Sequence, residues 1–114
     1  MVTIYHNPRC SKSRQTLELL RARGVEPEVI RYLETPPDAA TLRDLLAKLG
    51  ISARELVRKG EPEYCSAGLD RDDCSEAELI AAMAAHPTLI ERPIVVAGVR
   101  AVLGRPPENV LDIL

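Results

Sequence analysis

The start of the chain indicates both its fold and its chemistry: Val2-Thr3-Ile4-Tyr5-His6-Asn7-Pro8-Arg9-Cys10-Ser11-Lys12-Ser13-Arg14. Residues 2–6 are typical of a buried strand, residues 7–9 of a turn, and residues 11–23 of a helix that ends at Gly24. A helix N-terminus favours an anion, because its first N–H groups are unpaired and its dipole is positive there. Cys10 lies at this junction and is therefore predicted to be a reactive thiolate with a lowered pKa.

Two neighbours of Cys10 are candidates for its chemistry. Ser13 stands where a Cys-x-x-Cys redox motif has its second cysteine, so a second thiol must come from elsewhere. Ser13 is either a hydrogen-bond donor to the thiolate or a plain helix-surface serine. His6 would lower the pKa of the thiol if protonated, would accept its proton if neutral, or is simply satisfied at a strand end. The flanking cations are Arg9, Lys12 and Arg14.

Composition is that of an ordinary globular domain, here of 114 residues with 46% hydrophobic and 28% charged residues. With three Tyr, no Phe and no Trp, the core must be aliphatic. The net charge of −2 gives no support for binding nucleic acid or an anionic membrane. No apolar run is long enough to span a bilayer or to act as a signal peptide, so we expect a cytoplasmic protein. Its three irregularly spaced cysteines are expected as thiols.

The rest of the pattern predicts the order β-α-β, then a helical block, then β-β-α. Residues 29–33 are typical of a second strand, parallel to the first through a right-handed crossover. Residues 93–97 and 99–103 flank Gly98 as an antiparallel hairpin, and residues 106–114 suit a terminal helix. The predicted fold class is therefore α/β, a thioredoxin-like or glutaredoxin-like fold with a helical insertion. We expect residues 1–114 to form a single domain.

The helical insertion, at about residues 35–87, contains three capping-box sequences, each with an acid three residues after an oxygen side chain. Thr35 opens a helix to about residue 49, Ser52 a short one ending near residue 60, and Ser75 a third ending before residue 87. Residues 61–74 are predicted to be a polar loop, with Cys65 and Cys74 in or beside it. These cysteines either resolve a disulfide with Cys10 or are incidental.

Three arginines have a context suited to an oxyanion: Arg58 at the end of the short helix, Arg92 before Pro93, and Arg105 before Pro106. Guanidinium groups present a fixed fork of donors that matches tetrahedral oxyanions. Most surface arginines are only solvated, so by themselves these three are weak candidates. A cis peptide bond before Pro93 is compatible with its place at a strand start, although most such bonds are trans.

Several motifs resemble one family, the glutaredoxin-coupled arsenate reductases, and they follow one another in the family's order. They are Ile4-Tyr5-His6-Asn7-Pro8-Arg9-Cys10, Ile51-Ser52-Ala53-Arg54-Glu55-Leu56-Val57-Arg58-Lys59, His86-Pro87-Thr88-Leu89-Ile90-Glu91-Arg92-Pro93-Ile94-Val95-Val96, Gly104-Arg105-Pro106 and Val110-Leu111-Asp112-Ile113-Leu114. The resemblance runs essentially from end to end. It implies a thioredoxin-like core with a helical insertion, the architecture that the element order also predicts.

The resemblance also implies roles for individual residues. Cys10 matches the nucleophilic cysteine, His6 a histidine that helps activate the thiol, and Ser13 a serine that hydrogen bonds to it. Pro93 matches the family's cis-proline. The arginines that match those binding the oxyanion and the thiol–arsenic intermediate are Arg58, Arg92 and Arg105.

The reaction implied is the reduction of arsenate to arsenite, with glutathione as co-substrate and glutaredoxin as partner. Because thiols supply the electrons, the resemblance implies no bound cofactor and no metal. Lys12 departs from the small or uncharged residues of the plasmid-encoded reductases, and Cys65 and Cys74 match no family pattern.

Two alternatives remain. One is a regulator of the Spx type that binds RNA polymerase, although such proteins usually carry Cys-x-x-Cys where this chain has Ser13. The other is a glutathione-linked thiol enzyme of the same fold that acts on another substrate, because one fold hosts many chemistries.

Overall fold

A four-stranded mixed sheet is formed by the two terminal parts of the chain. The computed structural model describes all 114 residues. Its strands are β1 (Val2–Tyr5), β2 (Glu28–Ile30), β3 (Ile94–Ala97) and β4 (Arg100–Leu103), which lie in the order β2-β1-β3-β4. β1 is parallel to β2 and antiparallel to β3, and β3 is antiparallel to β4. The predicted parallel pair and the predicted hairpin around Gly98 are both confirmed.

The helices belong to two units, residues 1–35 with 92–114, and residues 36–91. In the first unit, α1 (Ser11–Ala22) connects β1 to β2, and a 3-10 helix (Pro107–Ile113) follows β4. The second unit contains α2 (Ala39–Leu49), α3 (Ala53–Leu56), α4 (Pro62–Ser66), α5 (Glu76–Ala85) and a 3-10 helix (Pro87–Leu89). None of these helices combines the length and the apolar character that a membrane crossing needs. That the units form a single domain stays a prediction.

The core of the sheet unit is aliphatic, as its composition predicts. Ile4 of β1 and Val95 of β3 are register partners, so their side chains project from the same face of the sheet. There they meet Leu20 of α1 and Val110 of the C-terminal 3-10 helix, and all four are fully buried. Burying such a side chain contributes about 1.5–3 kcal/mol. This packing holds α1, and with it the helix start that carries Cys10, against the sheet.

The helical unit has its own core around α5, which contacts α2, α3 and the 3-10 helix at residues 87–89. The starts of α5 and α3 are capped as predicted. Ser75 accepts from Glu78 N at 3.1 Å at the start of α5, and Ser52 accepts from Glu55 N at 3.3 Å at the start of α3. The buried apolar residues of this core include Leu42, Leu45, Leu46, Leu56, Leu79, Ile80, Met83 and Leu89.

Two predicted boundaries in residues 29–38 are wrong. β2 ends at Ile30 rather than residue 33, because Glu34 N and Thr35 N both donate to Arg31 O and close a turn. α2 is capped by Asp38, which accepts from Thr41 N at 2.8 Å, rather than by Thr35. The two prolines at 36 and 37 explain the shift, since proline lacks an N–H and keeps the preceding residue extended.

Three further elements differ from their predictions. α3 stops at Leu56 because Val57 turns extended and bridges to Ile90. The segment predicted as a polar loop contains α4, which buries Tyr64. The predicted terminal helix is a 3-10 helix at residues 107–113, in which Val110 is buried.

Candidate active site

Cys10 is the N-cap residue of α1, at the junction of strand, turn and helix that the sequence predicts. Its N–H donates to Asn7 O at 3.0 Å, and its carbonyl accepts from Arg14 N at 3.0 Å as the helix begins. The residue is 7% exposed. Its sulfur therefore lies at the positive end of a helix that is anchored in the core.

The sheet topology explains how two of the predicted arginines reach Cys10. Tyr5, at the end of β1, pairs with Ile94 at the start of β3, and Ile94 pairs with Leu103 at the end of β4. The residues after β1, before β3 and after β4 therefore meet at one end of the sheet. These are the segments that carry Cys10, Arg92 and Arg105.

Arg105 contacts both other members of this group. Its Nη2 lies 3.7 Å from Cys10 Sγ, and its Nε donates to the carbonyl oxygen of Arg92 at 2.7 Å. Both arginines precede a cis peptide bond, to Pro93 and to Pro106. The first cis bond matches the one implied by the resemblance, and the second was not predicted.

The environment of Cys10 favours its thiolate. Burial raises the pKa of the thiol, but hydrogen bonding from the Ser13 backbone N–H and from the Arg92 and Arg105 guanidinium groups lowers it. The positive charge of Arg92 lowers it further, and the net result is a pKa below the ordinary value. This supports the predicted lowering of the Cys10 pKa.

His6 and Ser13 form a buried hydrogen-bonded pair beneath the helix start. His6 Nδ1 lies 2.6 Å from Ser13 Oγ, and the same oxygen accepts from Asn7 N at 3.1 Å. Ser13 therefore favours the thiolate through its backbone N–H, while its hydroxyl is taken by His6 and Asn7. His6 hydrogen bonds to Ser13 rather than to Cys10.

The environment of His6 favours its neutral form. Burial lowers the pKa of His6, and the positive charges of Arg31, Arg21 and Arg14 lower it further. Ser13 Oγ accepts from Asn7 N, and its hydroxyl can donate its own proton to an unprotonated Nδ1 of neutral His6. That arrangement leaves the ring proton on Nε2.

Asn7 is a site residue that the sequence analysis missed. Its N–H donates to Ser13 Oγ at 3.1 Å, its side-chain oxygen accepts from Arg9 N at 3.0 Å, and its carbonyl accepts from Cys10 N. One residue thus links three parts of the turn before α1. The signal was available, because Asn before Pro marks an Asx-type turn.

Arg58 belongs to the helical unit, so its predicted role beside Cys10 stays a prediction. Its guanidinium group lies 3.5 Å from Glu61 Oε1 and 3.7 Å from Glu91 Oε1. The backbone N–H of Arg58 donates to Leu89 O at 2.7 Å, which fixes the backbone at the end of α3. The two carboxylates hold the side chain in a half-buried position.

The other two cysteines are free thiols in the helical unit. Cys65 is exposed on α4, and Cys74 is buried just before α5 with its Sγ 3.8 Å from Glu78 Oε2. Nowhere in the chain do three or more His, Cys, Asp or Glu side chains gather as a metal site requires.

Similarity to known proteins agrees with this architecture. Residues 5–113 match the ArsC family. The chain belongs to the ArsC family. It is 62% identical over 114 residues to YfgD of Escherichia coli (strain K12), an uncharacterized protein, covering 99% of this chain and 96% of YfgD.

Two other ArsC-like relatives carry a named activity. The arsenate reductase of Neisseria meningitidis (serogroup B, strain MC58) is 48% identical over 114 residues, and the match covers 99% of this chain and 97% of the Neisseria protein. A solved arsenate reductase from Vibrio cholerae superposes with a TM-score of 0.97 at 52% identity, covering 99% of this chain and 97% of that one. The thioredoxin-like α/β fold and the family resemblance predicted from the sequence are thereby confirmed.

Proposed function

We propose that this chain is an arsenate reductase, which forms a covalent thiol–arsenate adduct on Cys10 and takes its electrons from glutathione and glutaredoxin. The observation that carries the proposal is the 3.7 Å approach of Arg105 Nη2 to the sulfur of Cys10 at a helix N-terminus. Full-length similarity to the arsenate reductases of Neisseria meningitidis and Vibrio cholerae supports the same substrate.

Binding of the oxyanion follows from the charges around Cys10. Arsenate is a tetrahedral anion, and guanidinium groups bind such oxygens with paired, charge-assisted hydrogen bonds. Arg92 and Arg105 supply these groups, and the first N–H groups of α1 add further donors. We assign Arg58 to the same oxyanion on the strength of the family motif alone.

The first chemical step uses the thiolate. Cys10 Sγ attacks arsenic, a protonated oxygen of arsenate leaves as water, and a sulfur–arsenic(V) bond forms. The lowered pKa of Cys10 keeps the attacking sulfur ionised before substrate arrives. Ser13 supports the thiolate with its backbone N–H, and neutral His6 holds Ser13 in place.

The reduction needs two electrons, and thiols supply them. Glutathione first displaces a second oxygen of arsenic as water and forms its own sulfur–arsenic(V) bond. A glutaredoxin thiolate then attacks the glutathione sulfur, the electron pair of that sulfur–arsenic bond stays on arsenic, which becomes arsenic(III), and the two thiols leave as a mixed disulfide. Water then cleaves the remaining sulfur–arsenic bond, which releases arsenite and returns Cys10 as a thiol. With Ser13 in the place of a second cysteine, the site has no resolving thiol in its first helical turn, which fits an external reductant.

The proposal is tested by measuring arsenite formation from arsenate with purified protein, glutathione, glutaredoxin and NADPH-coupled glutathione reductase. We expect turnover that stops when either glutathione or glutaredoxin is omitted. Arsenite formation that continues when glutathione or glutaredoxin is omitted would overturn the assignment of the omitted thiol as a reductant. A complete system that oxidises no NADPH on adding arsenate would overturn the assigned substrate.

A further inference from the structure

Thr16 is a fully buried polar residue of α1 that takes no part in the chemistry described above. Its Oγ1 donates to Lys12 O, one turn earlier, at 2.7 Å. The same oxygen lies 3.3 Å from the carbonyl oxygen of Gly104, which follows β4. Because a hydroxyl has one proton, Thr16 shares it between its own helix and a loop from the far end of the chain.

Gly104 approaches Thr16 so closely that no other residue fits its position. A Cβ at Gly104 would lie 2.5 Å from Thr16 Oγ1 and 2.8 Å from Cγ of Pro93. The Gly104 N–H also donates to the carbonyl oxygen of Pro93 at 2.9 Å. Glycine is needed here for close approach to its neighbours, because every side chain would force the loop away.

These contacts hold the two backbone segments from which the arginines extend. Gly104 directly precedes Arg105, and Pro93 directly follows Arg92. Arginine side chains are long and flexible, so the place of each guanidinium group depends on where its backbone is anchored. Thr16 lies on the same helix that begins after Cys10, so the anchor and the nucleophile share one rigid element.

We propose that Thr16, through its contact with Gly104, which in turn donates to Pro93, positions Arg92 and Arg105 against the helix that presents Cys10. The inference rests on the proposed function, in which these arginines bind the oxyanion. Thr16 is a positioning residue and touches neither sulfur nor substrate. A displacement of about 1 Å at a site of this kind costs up to roughly a hundredfold in rate, so a buried contact behind the site matters.

Two substitutions at Thr16 separate its hydroxyl from its packing. Thr16→Val keeps the shape but removes the donor, whereas Thr16→Ser keeps the donor and removes a methyl group. Thr35→Val is the matched control, because Thr35 Oγ1 donates to Arg31 O at 3.2 Å over the same sequence spacing but on an exposed surface. Gly104→Ala tests the close approach, with Gly60→Ala as control because a Cβ there meets no atom within 4 Å.

The experiment measures each variant in three ways: the pH dependence of Cys10 alkylation by iodoacetamide, followed on its peptide by mass spectrometry; the KM and kcat for arsenate; and thermal unfolding. We expect Thr16→Val to move the alkylation midpoint to higher pH and to raise KM on the order of tenfold, with a smaller change in kcat. Thr16→Ser should restore both values, and Gly104→Ala should change them in the same direction as Thr16→Val. The two controls should match the wild type.

Two results would overturn the proposal. In one, Thr16→Val lowers the thermal midpoint but leaves the alkylation midpoint and KM as in the wild type, which would make Thr16 a packing residue only. In the other, Thr16→Ser shifts the alkylation midpoint and KM as much as Thr16→Val does, which would exclude the hydroxyl as the positioning group. The alkylation profile needs no arsenate, so it decides the matter even if the wild-type protein reduces none.

Discussion

Arg105 donates a hydrogen bond from Nε to the carbonyl oxygen of Arg92 at 2.7 Å, which ties the two arginine segments to each other. The bond orients the guanidinium group so that its Nη2 lies 3.7 Å from the sulfur of Cys10. One side chain thus joins the start of β3, the end of β4 and the start of α1. A guanidinium group can do this because it carries donors pointing in different fixed directions.

Replacing Arg105 by Lys should therefore impair arsenate binding even though the charge is kept. An ammonium group is a point charge, so it cannot donate to the Arg92 carbonyl oxygen and to an oxyanion at once with the fixed geometry of a guanidinium group. We expect KM for arsenate to rise roughly tenfold, measured in the coupled assay. Arg100→Lys, at the exposed start of β4, is the matched control and should behave as the wild type. Equal kinetics for the two variants would exclude Arg105 from the site.

The reactivity of Cys10 should persist at a pH where an ordinary thiol is protonated. The lowered pKa means that the folded protein keeps the thiolate as the pH falls, until the pH passes through the folded-state pKa. Alkylation of Cys10 in the native protein should have its midpoint at lower pH than alkylation of the same cysteine in urea. Coincident midpoints would contradict the role given to Ser13, Arg92 and Arg105.

The stability of the fold should fall in mildly acidic solution because of His6. Burial and neighbouring arginines lower its pKa below 6.5, so the unfolded state binds more protons between the folded-state pKa and 6.5. The free energy of unfolding therefore rises with pH through that window, and the contribution of neutral His6 is lost as the pH falls from 6.5 through the folded-state pKa. Urea denaturation at a series of pH values measures this slope.

A pair of histidine variants identifies the group responsible for that slope. His6→Gln should flatten it, whereas His86→Gln should leave it unchanged, because His86 is exposed at the end of α5. A slope that survives in the His6 variant would show that another group binds the protons.

The start of α2 provides a stability test in the helical unit. Asp38 accepts from Thr41 N at 2.8 Å, and removing such a cap costs about 1 kcal/mol. We expect Asp38→Ala to lower the free energy of unfolding by this amount in urea denaturation. Thr35→Ala should lower it less, because the Thr35 hydroxyl bonds only to Arg31 O on the surface. The opposite ranking would restore Thr35 as the helix cap.

The sequence predicted those parts of the fold whose signals are local and unopposed. The strand-turn-helix start at Cys10, the Ser52 and Ser75 caps and the hairpin around Gly98 all appear as expected. The predictions failed where a second effect opposed the local signal. Prolines moved the cap to Asp38, and a bridge to Ile90 drew Val57 out of α3.

The site was predictable in its chemistry but not in its contacts. Helix position and charge were enough to single out Cys10, whereas Arg92 and Arg105 depended on the family resemblance, because arginines on a surface are common. The pairing of His6 with Ser13, and the contact of Thr16 with Gly104, join residues whose distances no local pattern encodes. Such contacts arise from tertiary packing, so sequence spacing gives no sign of them.

The central claim is that Cys10 is the nucleophile of an arsenate reductase, and one comparison tests it most directly. Arsenite formation from arsenate is measured with glutathione and glutaredoxin for the wild-type protein and for Cys10→Ser, with Cys65→Ser as control because that thiol is exposed and lies on α4. We predict turnover in the wild type and in Cys65→Ser, and none in a folded Cys10→Ser variant. Arsenite formed by Cys10→Ser at the wild-type rate would contradict the account.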